Sequence, residues 1–122
     1  VLVGTSAWSR DDFASGKVDG ATIATVDAAE MAPMAERFRA AYGRDPQLYE
    51  AYAYDAVALS AGLARAAGEK GLSAEVLTSP TGFRSTTGLF RLNPDGSVQR
   101  ALALHRVAKG MLQRIGTAPT SF

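Results

Sequence analysis

The stretch from residue 47 to residue 67 constrains this chain most. It reads as one helix, rich in Ala and Leu. Its apolar set is wide: Leu48, Ala51, Tyr52, Ala53, Tyr54, Ala56, Val57, Leu59 and Leu63. A helix lying on a single core shows one apolar stripe; a broader apolar surface implies burial on more than one side. Whatever this chain folds into must bring more than one layer to that helix.

The flanking punctuation fits. Met31, Met34, Ala35, Phe38, Ala41 and Tyr42 recur at the spacing of one helical face. Asp27 with Glu30 resembles a capping box. Pro33 belongs in a first turn, where its missing N–H has no partner, so the expected start is near Glu30. Gly43 supplies a left-handed C-terminal residue, with Pro46 beyond it. Gly68 and Gly71 end the long helix. Leu72 to Leu77 reads as a short third helix stopped by Ser79-Pro80.

Strands lie on either side of this helical block. Val1 to Val3, followed by Gly4-Thr5-Ser6, reads as a short buried strand running into a loop. Asp11-Asp12-Phe13 suits a brief helical turn. Ala21 to Val26 is apolar and β-branched between Gly20 and Asp27, the mark of a strand. After the helices, Thr87 to Leu92 is expected as a strand. Asn93-Pro94-Asp95-Gly96 turns it, Val98 to Val107 returns, Ala108-Lys109-Gly110 turns again, and Met111 to Ile115 closes an antiparallel meander. Residues 117–122 read as a polar tail. The order is strand, strand, three helices, meander. That is an α/β chain in α+β order, or two packed subdomains.

Composition excludes several functions. Thirteen basic and twelve acidic residues give a net charge of +1, scattered without the basic patch that nucleic acid or anionic lipid requires. There is no cysteine, hence no disulfide, thiolate metal site or cysteine nucleophile. No apolar run approaches a membrane span, and no signal peptide is visible. The chain opens at Val1 directly in a strand-like run, which reads as an excised or processed piece of a longer protein.

No catalytic or metal-binding constellation emerges, and no cofactor is implied. His105 is the single histidine and reads as a strand residue on a partly solvated face. Asp11-Asp12 reads as a helix start or solvated loop rather than a metal site. Gly4-Thr5-Ser6 lacks the ending of a P-loop. Tyr49 and Tyr52 share a helix face while Tyr54 points elsewhere; such rings line clefts or simply pack helices. Ligands of open α/β folds sit beyond the carboxyl ends of strands, which makes Thr5, Ser6 and Trp8 the candidate ligand-binding residues. For Trp8 the alternative is a core ring beneath a connection. Asp55, mid-helix among apolar neighbours, needs a partner if buried.

Several segments resemble the Leu/Ile/Val-binding family of periplasmic solute-binding proteins, in the order found there. Gly4-Thr5-Ser6-Ala7-Trp8 is similar to a strand-and-loop entry of the second lobe, and Gly20 to Ala24 with Asp27 to the strand leading into a crossover. Phe38 to Pro46 resembles the helix end F-x-x-x-Y-G-x-x-P. Ala53-Tyr54-Asp55-Ala56-Val57 resembles the helix after it. Phe83, Gly88-Leu89-Phe90, Asp95-Gly96 and Arg100 resemble the closing hairpin.

The resemblance implies the C-terminal part of a two-lobed type I periplasmic binding protein. Residues 1–26 would be second-lobe strands, 27–82 a helical segment of the first lobe, and 83–122 a second-lobe meander and tail. It implies a periplasmic component of an ABC importer. A small polar or amino-acid-like solute and an ABC permease would be its partners, with cleft closure as its action. Relatives described as penicillin-binding protein activators keep the fold and regulate cell-wall synthesis through envelope proteins, a second reading. The amino acid binders carry a carboxylate near the position of Ser6; no acid stands at Thr5 to Trp8, which leaves the solute open. Helices deprived of the sheet they normally cover expose an apolar face, so the isolated chain is expected to self-associate, as a dimer or a swapped form.

Overall fold

A computed structural model describes residues 1–122. The chain forms two compact units. One comprises residues 1–27 with 102–119, the other 28–101 with 120–122. The backbone passes between them at Asp27–Ala28, Ala101–Leu102 and Pro119–Thr120.

The first unit is a sheet with a small helical cover. Strand β1 (Val3–Gly4) runs parallel to β2 (Thr22–Thr25), and helix α1 (Arg10–Ala14) lies on the connection between them. Ser9 caps α1. Its hydroxyl accepts from the Asp12 N–H, and the Asp12 carboxylate accepts back from the Ser9 N–H, a reciprocal capping box. Strand β6 (Ala103–Ala108) pairs antiparallel with β2, and β7 (Met111–Gly116) with β6. Lys109 and Gly110 join β6 to β7 with φ of 52° and 76°. Both lie in the left-handed region that two-residue hairpin turns demand. Ala21, Ile23 and Val107 are fully buried at the centre, with Trp8, Phe13 and Val18 packed against them.

The second unit carries the helices. Helix α2 spans Ala28–Tyr42 and thus begins before Glu30, with Pro33 inside the helix in its second turn. Helix α3 spans Leu48–Ala67. At its start the Gln47 N–H donates to the Glu50 carboxylate at 2.7 Å, and Arg44 holds that carboxylate through two N–H bonds of 2.6 and 2.9 Å. The expected third helix divides into a 3-10 turn over Gly68–Leu72 and helix α4 (Ala74–Leu77), capped by Ser73. Strands β3 (Phe83–Ser85), β4 (Gly88–Leu92) and β5 (Val98–Arg100) form a separate antiparallel sheet. Met34, Ala51, Leu89, Phe90 and Ala101 are buried in this unit.

The meander expected over residues 87–115 is therefore corrected. Its middle strand, Val98 to Val107, is two strands in two different sheets. Arg100 is still paired with Phe90, and the Ala101 N–H donates to the Leu89 carbonyl; Ala103 is already paired with Thr25. The compact units change at Ala101–Leu102. The physical reason is β3: Phe83–Ser85 pairs with β4 and holds the start of the hairpin in the same unit as the helices.

Candidate functional site

The loop Thr5–Trp8 leaves the carboxyl end of β1, the parallel strand of the first unit. It is a tight local turn. The Trp8 N–H donates to the Thr5 carbonyl at 3.2 Å, and the Ala7 N–H to the Thr5 hydroxyl oxygen at 3.3 Å. Thr5 and Ser6 are both exposed, so the structure brings two hydroxyls to the strand end. Trp8 does a different job on the same loop. It is half-buried, packs against the Ala21–Ile23–Val107 core, and meets the edge of Phe13 at 6.5 Å between centroids. It also lies flat on Gly4: a Cβ there would stand 2.5 Å from the ring. A core role for Trp8 is thus plain, and its side chain stays partly exposed.

Asp11 and Asp12 belong to the start of α1. Hydrogen bonds from the Ser9 N–H and hydroxyl hold the Asp12 carboxyl below its ordinary range. His105 is not on a solvated face. Ala103, His105 and Val107 alternate inward along β6, His105 is 5% exposed, and its Nδ1 has no partner. The sheet of the first unit is covered on this face by Trp8, Phe13 and Val18, which the strand pattern alone did not reveal. No three His, Asp or Glu side chains converge in a way that would hold a metal ion. No helix is long and apolar enough to cross a membrane.

In the second unit the tyrosines part company. Tyr54 and Tyr42, with Met34, Phe38, Arg37 and Glu50, line a groove of about 280 Å³ between α2 and α3. Tyr49 is exposed. Tyr52 lies under the Arg100 guanidinium at 4.1 Å from the ring centroid. Hydrogen bonds from Arg44 and the Gln47 N–H lower the Glu50 carboxyl to about 2.

The feature that sequence reasoning left undecided is Asp55. It is 3% exposed. One carboxylate oxygen accepts from the Thr86 N–H (3.1 Å) and hydroxyl; the other accepts from the Thr87 N–H (3.0 Å) and hydroxyl (2.6 Å) and from the Ser85 hydroxyl (2.6 Å). Burial alone would raise its pKa, but these bonds from Ser85, Thr86 and Thr87 outweigh it and hold the carboxyl below the ordinary range. Arg100 then donates to the Thr87 hydroxyl at 3.0 Å. The acid ties α3 to the β3–β4 turn. The available signal was an acid in an apolar helical setting, but its partners lie some thirty residues downstream.

No protein-family model and no curated protein matches the sequence. Solved structures do match. One from Rhodospirillum rubrum, described as a branched-chain amino acid ABC transporter, superposes with a TM-score of 0.74 at 24% identity over 93% of this chain. An ABC transporter substrate-binding protein from Desulfitobacterium hafniense in complex with Leu gives 0.65 at 19% over 93%. A solute-binding protein from R. palustris in complex with benzoate gives 0.57 at 24% over 90%. The chain spans 36%, 35% and 33% of those proteins respectively. It has the type I periplasmic binding protein fold of branched-chain amino acid ABC transporter substrate-binding proteins, over about a third of their length.

Proposed function

We propose that this chain is part of the extracytoplasmic solute-binding component of an ABC importer, acting in the periplasm with a permease. The observation that carries the reading is the superposition over 93% of the chain on a branched-chain amino acid transporter protein. Two of the structural neighbours are described as substrate- or solute-binding proteins. Residues 28–101 would belong to one lobe and 1–27 with 102–119 to the other, with solute held as the lobes close. Thr5 and Ser6 are this segment's candidate solute contacts, through exposed hydroxyls at the end of a parallel strand, and Trp8 through its partly exposed side chain.

The residue types at this loop favour a particular solute chemistry. A buried ammonium is unfavourable without a counter-charge, and Thr5 to Trp8 offers none. Hydroxyls suit a carboxylate instead. A small organic acid is therefore the solute class these residues favour, and one structural neighbour is in complex with benzoate. The cell-wall regulatory reading has no comparable support, since the neighbours bind solutes or belong to transporters.

The test is a melting-shift screen of the full-length polypeptide that contains this chain, with leucine, isoleucine, valine, benzoate and related small acids. A ligand at a hundred times its Kd stabilises by about 2.7 kcal/mol, a rise of several degrees. A rise with one member supports the reading. A cooperative melt unmoved by all of them counts against it.

A further inference from the structure

The two inner crossings between the units start side by side. Thr25 pairs with Ala103 in β2–β6, and the register continued one step sets Val26 beside Leu102. Each of these two strands is pinned by an arginine next to the point where it leaves its unit. In the first unit Arg114 of β7 donates to the Asp27 carboxylate, and Asp27 is the last residue before the crossing. In the second unit Arg100 stands one residue before the Ala101–Leu102 crossing. Its guanidinium lies 4.1 Å from the Tyr52 centroid and 4.9 Å from that of Phe90, and donates to Thr87, which is in turn fixed by Asp55. No carboxylate pairs with Arg100 directly; it is held by rings and one hydroxyl.

We propose that Arg100, backed by Thr87 and Asp55, is a positioning residue for the crossing strand. It clamps β5 up to Ala101, the last residue of its unit before the chain crosses at Ala101–Leu102. The planar guanidinium suits this role because it stacks on Tyr52 and Phe90 while its edge donates to Thr87. An ammonium keeps the charge and loses the stacking. The proposal rests on the reading that the lobes move against one another around a solute.

Amide hydrogen exchange on the chain tests it without any solute. In the wild type the Ala101 amide, bonded to the Leu89 carbonyl at 2.9 Å, should be protected like the other β4–β5 amides. Arg100→Gln should speed its exchange about tenfold, and Arg100→Lys by less, while amides of α3 and of β2–β6 keep their rates. Unchanged exchange at Ala101 would overturn the proposal. So would a uniform loss across the helical unit, which would make Arg100 a packing residue only. Should Arg100→Gln prove too unstable, Arg100→Lys carries the same comparison. If Ala101 responds as expected and the full-length protein binds no solute, the transport reading fails while the clamp stands. If a solute binds, Arg100→Gln should change its affinity by about threefold or more without altering Thr5 or Ser6.

Discussion

Replacing Asp55 by Ala should be among the most damaging single changes in this chain. The substitution removes an acceptor from two backbone N–H groups and three hydroxyls. The hydroxyls can rotate; Ser85 already bonds the Gly88 carbonyl as well, and Thr87 accepts from Arg100. The N–H groups of Thr86 and Thr87 cannot move without the turn. Thr87 is 1% exposed, so its N–H would be stranded away from water. A buried donor left without a partner costs about 1–3 kcal/mol. With the cavity left by the carboxylate and a partly solvated Thr86, the expected loss is about 3–4 kcal/mol. Asp55→Asn keeps the volume but turns an NH₂ toward donors, and should lose about 2 kcal/mol. Urea unfolding of both variants measures this, with m unchanged if only stability has shifted. A loss below about 1 kcal/mol for Asp55→Ala would refute the reasoning and mean that the β3–β4 turn finds other acceptors.

Other consequences follow from the same geometry. Because the folded pKa of Asp55 lies below its unfolded value, its contribution is full above the ordinary carboxylate range and disappears as pH falls through the folded value; acid titrations should show this loss below about pH 4, diminished in Asp55→Asn. Gly4→Ala places a Cβ 2.5 Å from the Trp8 ring, which must swing away; a loss of about 1–3 kcal/mol and a red shift of Trp emission are expected. Val57 is 70% exposed and Tyr54 and Tyr49 are also uncovered on α3, so light scattering of the isolated chain should give a mass above the 12.8 kDa monomer. A stable monomer would mean that this face needs no cover.

The fold was partly legible. The broad apolar set of residues 48–63 marked α3, and the Asn93–Gly96 turn formed as its residues require, with Gly96 donating to the Asn93 carbonyl at φ 84°. The division at Ala101 was not legible. Ala101, Ala103, His105 and Val107 are all buried, so the period-two alternation runs unbroken through the change of sheet, with no Gly or Pro to punctuate it. Register is set by partners distant in sequence, Phe90 for Arg100 and Thr25 for Ala103. Strand β3 escaped notice because three residues cannot display a period. At the candidate site, sequence position put Thr5, Ser6 and Trp8 beyond a strand end. The packing of Trp8 against Gly4 and Phe13 depends on how α1 folds back, which no local pattern specifies.

The proposed solute contact lies on the loop after β1. Calorimetric titration of the full-length polypeptide with the acid that gives the largest melting shift tests it most directly, comparing wild type with Ser6→Val. Loss of one hydrogen bond of about 0.5–1.5 kcal/mol predicts weakening by roughly threefold to tenfold with the fold intact. Equal affinity in wild type and variant would place the solute elsewhere, and no heat of binding from a folded protein would contradict the solute-binding account itself.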